Sequence, residues 1–378
     1  MKKRLAEKRV QSLLKQFPCL TILGARQVGK STLAQLAFPQ FTYVDLENPV
    51  DFNRLQMDLP YFFESHRQVI FDEAQTMPEL FPALRSHLDK NKKFKAVLLG
   101  SAAPSLLHKV SESLTGRTAF FQLGGISILE DSNPNIWYRG AFPRLHWSRP
   151  KVDPTDWYTS YLKTYLAQDI PQLGFRISQV KLRNLLSMIA HAQGSICNLS
   201  ELGTPLGIRH RAVSHIIDIF EGTFTVRRLQ PFFSNQKKRI VKSPKIYVRD
   251  TGLLHFLLGL EFEKKKVDLS TRLGSSFETF CIEQILTVAE LYDSGFEAYF
   301  YRTQAGLEVD LVLRTNGKLI PIEIKVSPPS SYRSLERALE DLKVRKGYVV
   351  TATKEQFNPT KAVTVLPLEK FLQLAPKW

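Results

Sequence analysis

Between residues 18 and 130 the chain alternates short apolar, β-branched runs with stretches whose apolar residues recur every three or four positions. The runs CLTIL, TYVDL, QVIFDE, AVLLGS and AFFQLG read as strands. Their alternation with helical patterns predicts a parallel α/β sheet. From 157 to about 260 the spacing is mainly helical, punctuated by Pro205, Gly207 and Gly222. Three helices (ISQVKLRNLLSMIAHAQ, LSELGTPLG and RHRAVSHIIDIFEGT) precede two strands (TVRRLQPFF and RIVKSPKIYVRD) joined by SNQKKR at 234–239. That order predicts a winged helix-turn-helix. A third pattern starts near Leu273: helix SSFETFCIEQILTVAELY, strands AYFYRT, LEVDLVLR and KLIPIEIKV, helix SYRSLERALEDLK and strand GYVVTA. No repeat of 20 to 50 residues is present, which excludes a solenoid or propeller. The expected domains are 1–150, 151–265 and 266–378, α/β at both ends and helical between.

The length of 378 residues agrees with two or three domains. A formal charge of +16 and an isoelectric point near 9.7 favour a polyanionic partner, nucleic acid or an anionic membrane surface. Most of this charge is local, with thirteen Lys or Arg against three acids from 176 to 249, a net +10. Cys19, Cys197 and Cys281 form no CxxC spacing and stand in apolar contexts, so they read as packed core thiols of a cytoplasmic protein. The basic amphipathic start MKKRLAEKRVQSLLKQF lacks the apolar stretch of a secretory signal. Other apolar runs, such as 252–260, fall well short of the ~20 residues that cross a membrane. The eight histidines show no ligand spacing, so zinc is not expected.

Residues 24–31, GARQVGKS, match GxxxxGK[ST], with a strand before and a helical pattern after. Gly24, Ala25, Arg26, Gln27, Val28, Gly29, Lys30, Ser31 and Thr32 are the candidate ATP contacts. The loop amides and the helix N-terminus suit phosphate oxygens. Lys30 reaches the β and γ phosphates in this reading, and Ser31 ligates Mg²⁺. In QVIFDEAQ, Asp72 ends a buried strand and completes the Mg²⁺ shell, while Glu73 polarises the attacking water. The acid pair favours an ATP hydrolase over a small-molecule kinase. Ser101, after AVLLG, is a candidate sensor of the water or γ phosphate, or simply a turn residue. Arg117, in LTGRTAF, either stabilises transition-state charge, in its own chain or in a neighbouring subunit of a homo-oligomer, or is a solvated loop arginine.

In a winged helix the recognition helix enters the DNA major groove. Arg209, His210, Arg211 and Ser214 hold its early positions, with Lys237, Lys238 and Arg239 at the wing tip on phosphates. The competing reading is a protein-docking module with a solvated charged face. After residue 273, Glu278 lies on a helix, Asp310 in LEVDLVL, and Glu323 and Lys325 in IEIK. Period-two alternation lets adjacent strands present Asp310, Glu323 and Lys325 together. Such carboxylates hold Mg²⁺, and the lysine orients water. This order resembles the core of PD-(D/E)xK nucleases, and the competing reading is an exposed polar strand face.

Taken together, GARQVGKS, VIFDEAQ, LLGSA, LTGR, RGAFPR, YLKTYLAQDIP, VKSPKIYVRDTGLL, GSSFETF, YRTQAGLEVDLVL and IPIEIK resemble a prokaryotic family of AAA-type P-loop ATPases with a C-terminal domain of unknown function. The resemblance implies ATP binding with Mg²⁺, a winged helix after the ATPase domain and a restriction-endonuclease-like C-terminal fold. GGISILE at 124–130 departs from the family's Pro-Leu-Ser pattern but retains Glu130. Two functions follow: a DNA-associated ATPase with a metal-dependent nuclease site, or a nucleotide-switched signalling or scaffold ATPase that binds protein and whose nuclease-like domain is inactive.

Overall fold

A computed structural model describes residues 2–101, 110, 112–172, 177–233 and 241–378. Contacts divide the chain into two compact units, Met1–Gly125 with Gly222–Phe224, and Ile126–Glu221 with Thr225–Trp378. The expected turn at 234–239, with Lys237, Lys238 and Arg239, lies outside the described residues.

The first unit holds five parallel strands, β1 (Cys19–Leu23), β2 (Thr42–Asp45), β3 (Gln68–Asp72), β4 (Lys95–Gly100) and β5 (Thr118–Gln122), in the order β2-β3-β4-β1-β5. All five residues of β1 are buried, as are all but the first of β3 and β4. Strands covered on both faces need such continuous apolar runs, so the sequence pattern and this topology have one cause. The basic N-terminus forms helix Ala6–Gln16, which buries Ala6, Val10, Leu13 and Leu14 as one stripe. Because the strands run parallel, every connection that follows one opens on the same edge of the sheet. The 24–31 loop, Asp72 and Ser101 therefore share that edge, while Arg117, just before β5, stands at the other.

The second unit carries a seven-stranded mixed sheet. Its strands are β6 (Val226–Pro231), β7 (Lys245–Val248), β8 (Glu297–Arg302), β9 (Glu308–Thr315), β10 (Lys318–Lys325), β11 (Gly347–Thr351) and β12 (Val363–Pro367), ordered β12-β11-β10-β9-β8-β6-β7. The helices Gln179–His191, Leu199–Gly203 and His210–Gly222 precede the antiparallel pair β6–β7, in the expected order. The pair does not stand apart as the expected separate domain. Gln230 and Pro231 pair parallel with Tyr299 and Phe300, and Leu229 and Tyr247 share a core with Phe277, Phe280 and Leu311.

Residues 126–150, expected with the first domain, also pack in the second unit. Gln284 donates to Ile126 O and accepts from Ile128 N, both at 2.9 Å, and Trp137 Nε1 donates to Ser276 Oγ at 2.9 Å. Strand β12 was not foreseen; it is five residues long and extends the parallel run β10-β11-β12. Helix Leu273–Tyr292 contributes Phe277, Cys281, Ile285 and Val288 to one core, and Leu335, Ala338 and Leu339 of helix Arg333–Leu342 pack in another with Val312 and Val349. All three cysteines are buried. Among the described residues no helix is long and apolar enough to cross a membrane.

The charge of the middle segment needs a correction. Four of its thirteen cations face inward onto acids, three of them onto acids outside the 176–249 window. Arg227 and Arg249 share Glu283 at 2.5 and 2.9 Å, Arg228 meets Asp218 and Glu221, and Lys245 meets Glu278 and Glu308. The local excess therefore overstates what a polyanion can meet. Burial works against the ionised Glu283, but Arg227 and Arg249 outweigh it and hold its carboxyl below the usual range. Burial, with the charge of Arg227, pulls Arg249 down to about 10. Removing the acid that both guanidinium groups share takes from each an ion pair in a mostly buried setting. Glu283→Ala should cost roughly 3–5 kcal/mol in urea unfolding of the full chain. A loss below about 1 kcal/mol, the range of exposed pairs, would contradict this account.

Candidate active site

The loop after β1 is shaped by close approach. A Cβ on Gly24 would lie 2.6 Å from Leu123 O and 3.1 Å from Val28 Cγ1, so only glycine lets the loop pass there. Gly29 has φ 100°, a left-handed conformation that glycine adopts without strain, and caps helix Lys30–Ala37. Lys30 is buried and its Nζ donates to Gly24 O at 3.0 Å and Ala25 O at 3.2 Å. Its ammonium is thus folded into the loop that the helix N-terminus closes.

Ser31 Oγ donates to Asp72 Oδ2 at 2.5 Å, so the two oxygen groups expected on Mg²⁺ are already in contact. A hydroxyl and a carboxylate oxygen are the hard donors that Mg²⁺ takes, and the residues fit that ion. Asp72 Oδ2 also accepts from Tyr43 Oη at 2.5 Å. Tyr43, on β2, was not foreseen as a site residue. Burial, then the hydrogen bond and charge of Asp72, raise its phenol above the ordinary range, so it stays a donor at neutral pH. The signal was an aromatic one residue past the start of a strand, indistinguishable from a packing residue.

Glu73 has φ 48°, left-handed for a residue with a side chain. Its Oε2 accepts from Ser101 Oγ at 3.0 Å and from Gln75 Nε2 at 2.5 Å. Strand order explains the first contact: β4 lies between β1 and β3, so the residue after it stands beside both. Ser101 thus touches Glu73 as well as following the strand. Arg117 does not join this group. Its backbone carbonyl accepts from Cys19 N at the start of β1, and its guanidinium forks onto Asp89 at 2.7 and 2.9 Å. The sheet edge opposite the loop leaves it no role at its own chain's phosphates.

A second residue without a sequence signal is Arg4. It is buried, and its guanidinium donates to Val28 O at 3.1 Å, Gly124 O at 2.9 Å and Gly125 O at 3.0 Å. One cation thus pins the phosphate loop to the chain leaving β5. Its sequence context, the basic run MKKR, looks like a solvated terminus.

Elsewhere, Arg209, His210 and Arg211 are exposed and Ser214 is half-buried at the start of helix His210–Gly222, whose Val213, Ile216, Ile217 and Phe220 face the core. In the C-terminal region Glu278, Asp310, Glu323 and Lys325 do come together. Lys325 Nζ lies 2.7 Å from Glu323 Oε1 and 3.5 Å from Asp310 Oδ2. Asp310 and Glu278 meet through Lys245 Nζ, at 3.7 and 3.2 Å. Pairing of β9 with β8 is irregular beside Asp310. Among the described residues no three of His, Cys, Asp and Glu are arranged to hold a metal ion.

Two curated proteins, uncharacterized protein Rv2008c of Mycobacterium tuberculosis and uncharacterized protein Mb2031c of Mycobacterium bovis, are each 34% identical over 380 residues, 98% of this chain and 85% of theirs. The chain belongs to their family. Family models match an AAA domain at 16–130, a domain of unknown function (DUF8612) at 130–264 and a second (DUF4143) at 273–371. The AAA match covers the five-stranded sheet and every loop residue described above. Among solved structures, the Walker-type ATPase of Pyrococcus abyssi is 14% identical with a TM-score of 0.44, over 67% of this chain and 94% of that one. A signal transduction ATPase with a tetratricopeptide repeat sensor from Pyrococcus horikoshii is 13% identical with a TM-score of 0.25, over 77% and 47%. Both likenesses are too distant to carry an argument.

Because Arg4 holds three carbonyls that shape the loop, Arg4→Ala should weaken binding of a fluorescent ATP analogue about tenfold, ~1.4 kcal/mol of lost preorganisation. Unchanged affinity would contradict the clasp.

Proposed function

We propose that the chain binds Mg²⁺·ATP and hydrolyses it at the edge formed by the 24–31 loop, β3 and β4. The observation that carries this reading is the Ser101–Glu73 contact beside the Ser31–Asp72 contact, which separates an ion-holding acid from a water-holding acid one residue away. The amides at the start of helix Lys30–Ala37 bind phosphate oxygens, and Lys30 turns from Gly24 and Ala25 to the β and γ oxygens. Ser31 and Asp72 hold Mg²⁺, which draws negative charge from those oxygens when bound. Glu73 accepts a proton from water as its oxygen attacks the γ phosphorus and the bond to the β–γ bridging oxygen breaks. Ser101 and Gln75 orient that carboxylate. Tyr43 positions Asp72 from the other side.

The finer reading is that the nucleotide cycle governs DNA binding by a winged helix made of the three helices and the β6–β7 pair. Support comes from the exposed Arg209, His210 and Arg211 at one helix start, with exposed Lys181, Arg183 and Lys242 in the same segment. The inward-facing four cations take no part. The signalling or scaffold reading uses the same ATP site with a protein on this face.

Phosphate release from Mg²⁺·ATP should be readily measured for the wild type and nearly abolished in Lys30→Ala. Phosphoryl transfer to a metabolite without release to water would instead indicate a kinase. For the DNA reading, Arg209→Glu with Arg211→Glu should weaken duplex binding strongly. The log–log salt slope should also fall by about 1.8, roughly 0.9 for each phosphate that the pair no longer neutralises. Duplex affinity and slope unchanged by the pair would leave protein binding as the surviving account.

A further inference from the structure

Acids on a helix and two strands that converge as Glu278, Asp310 and Glu323 do would ordinarily suggest a divalent cation, and the resemblance to metal-dependent nucleases implies one. The side chains around them do not fit it. Lys245 projects from β7, a strand outside the helix and strands that supply the acids, and its side chain is 3% exposed. Its Nζ lies 2.6 Å from Glu308 Oε1, 3.2 Å from Glu278 Oε1 and 3.7 Å from Asp310 Oδ1. Two residues along the same strand, Tyr247 Oη donates to Glu278 Oε1 at 2.6 Å. On the other side, Lys325 takes Glu323 and the second oxygen of Asp310, and that oxygen also accepts from Ile324 N at 2.8 Å.

We infer that this cluster is not a divalent-cation site: the Lys245 ammonium occupies the central position among Glu278, Glu308 and Asp310, and the acids fasten strand β7 to the C-terminal sheet. A Mg²⁺ or Mn²⁺ ion needs carboxylate oxygens at roughly 2.0–2.2 Å around one centre. Here the oxygens that face a common centre already face an ammonium. A second cation would have to sit within a few ångströms of it in a largely dry pocket, or drive a buried lysine out. Burial works against the charge on Lys245, but Glu278, Asp310 and Glu308 outweigh it, so the ammonium persists at any pH at which the protein would be assayed. Every acid of the cluster thus has a cation of the chain itself as partner. With the ammonium at their centre, Glu278, Glu308 and Asp310 serve to join the hairpin to the sheet, while Glu323 meets Lys325 through Oε1 and its Oε2 makes no hydrogen bond among the described residues. This inference is independent of the ATP site, which lies in the first unit.

Manganese titration of the nucleotide-free full chain, followed by electron paramagnetic resonance of free Mn²⁺, tests it. Wild type and Asp310→Asn should bind Mn²⁺ alike, because any ion held at Asp72 is common to both. A site present in wild type and absent from Asp310→Asn overturns the inference. Lys245→Met removes the ammonium and leaves three carboxylates facing one another. This variant should gain a Mn²⁺ site at least about tenfold tighter than any in wild type, and its melting temperature should rise with Mn²⁺ by more than that of wild type. Adding Asp310→Asn should abolish the gain. A folded Lys245→Met that gains neither binding nor thermal shift also overturns it. If Lys245→Met does not fold, the comparison of wild type with Asp310→Asn still decides.

Discussion

A charge removed from water must meet an opposite charge or a set of aligned dipoles, and this constraint organises both units. Lys30 and Arg4 are buried cations satisfied by backbone carbonyls, which is why the phosphate loop and the segment leaving β5 have fixed shapes. In the second unit Arg227, Arg249 and Lys245 are buried cations satisfied by carboxylates from other elements, and these pairs bind the β6–β7 hairpin to the helix Leu273–Tyr292 and to β9. The two solutions use different partners. Lys30 Nζ donates to the carbonyls of the loop itself. Lys245 instead meets the carboxylates of Glu278 and Glu308 directly.

The strands of the first unit were legible because a parallel sheet covered on both faces admits only continuous apolar runs, and the phosphate loop because its glycines answer to steric limits visible at 2.6 Å. Asp72 and Glu73 stand out only beside the phosphate loop, since adjacent acids are common at ordinary strand ends. What stayed hidden depends on contacts across long stretches of chain. Tyr43 meets Asp72 over 29 residues, Arg4 meets Gly124 over 120, and Lys245 meets Glu278 over 33. None leaves a local pattern. The charge count from 176 to 249 misled for that reason: the acids that neutralise Arg227, Arg249 and Lys245 lie between 278 and 310, beyond the window. Glu278, Asp310 and Glu323 do come together, and the cations they meet are Lys245 from β7, at Glu278 and Asp310, and Lys325 from β10, at Asp310 and Glu323.

Ser31 and Asp72, and Ser101 and Glu73, are polar pairs in contact at one edge of the sheet. Arg209, His210 and Arg211, by contrast, are exposed at the start of helix His210–Gly222.

The central claim is that Glu73 accepts the proton of the attacking water, and nucleotide extracted from the protein after incubation with Mg²⁺·ATP tests it most directly. Glu73→Gln, which keeps the shape and the loop but loses the base, should retain intact ATP while wild type contains ADP. ATP converted to ADP by Glu73→Gln at the wild-type rate would contradict the account.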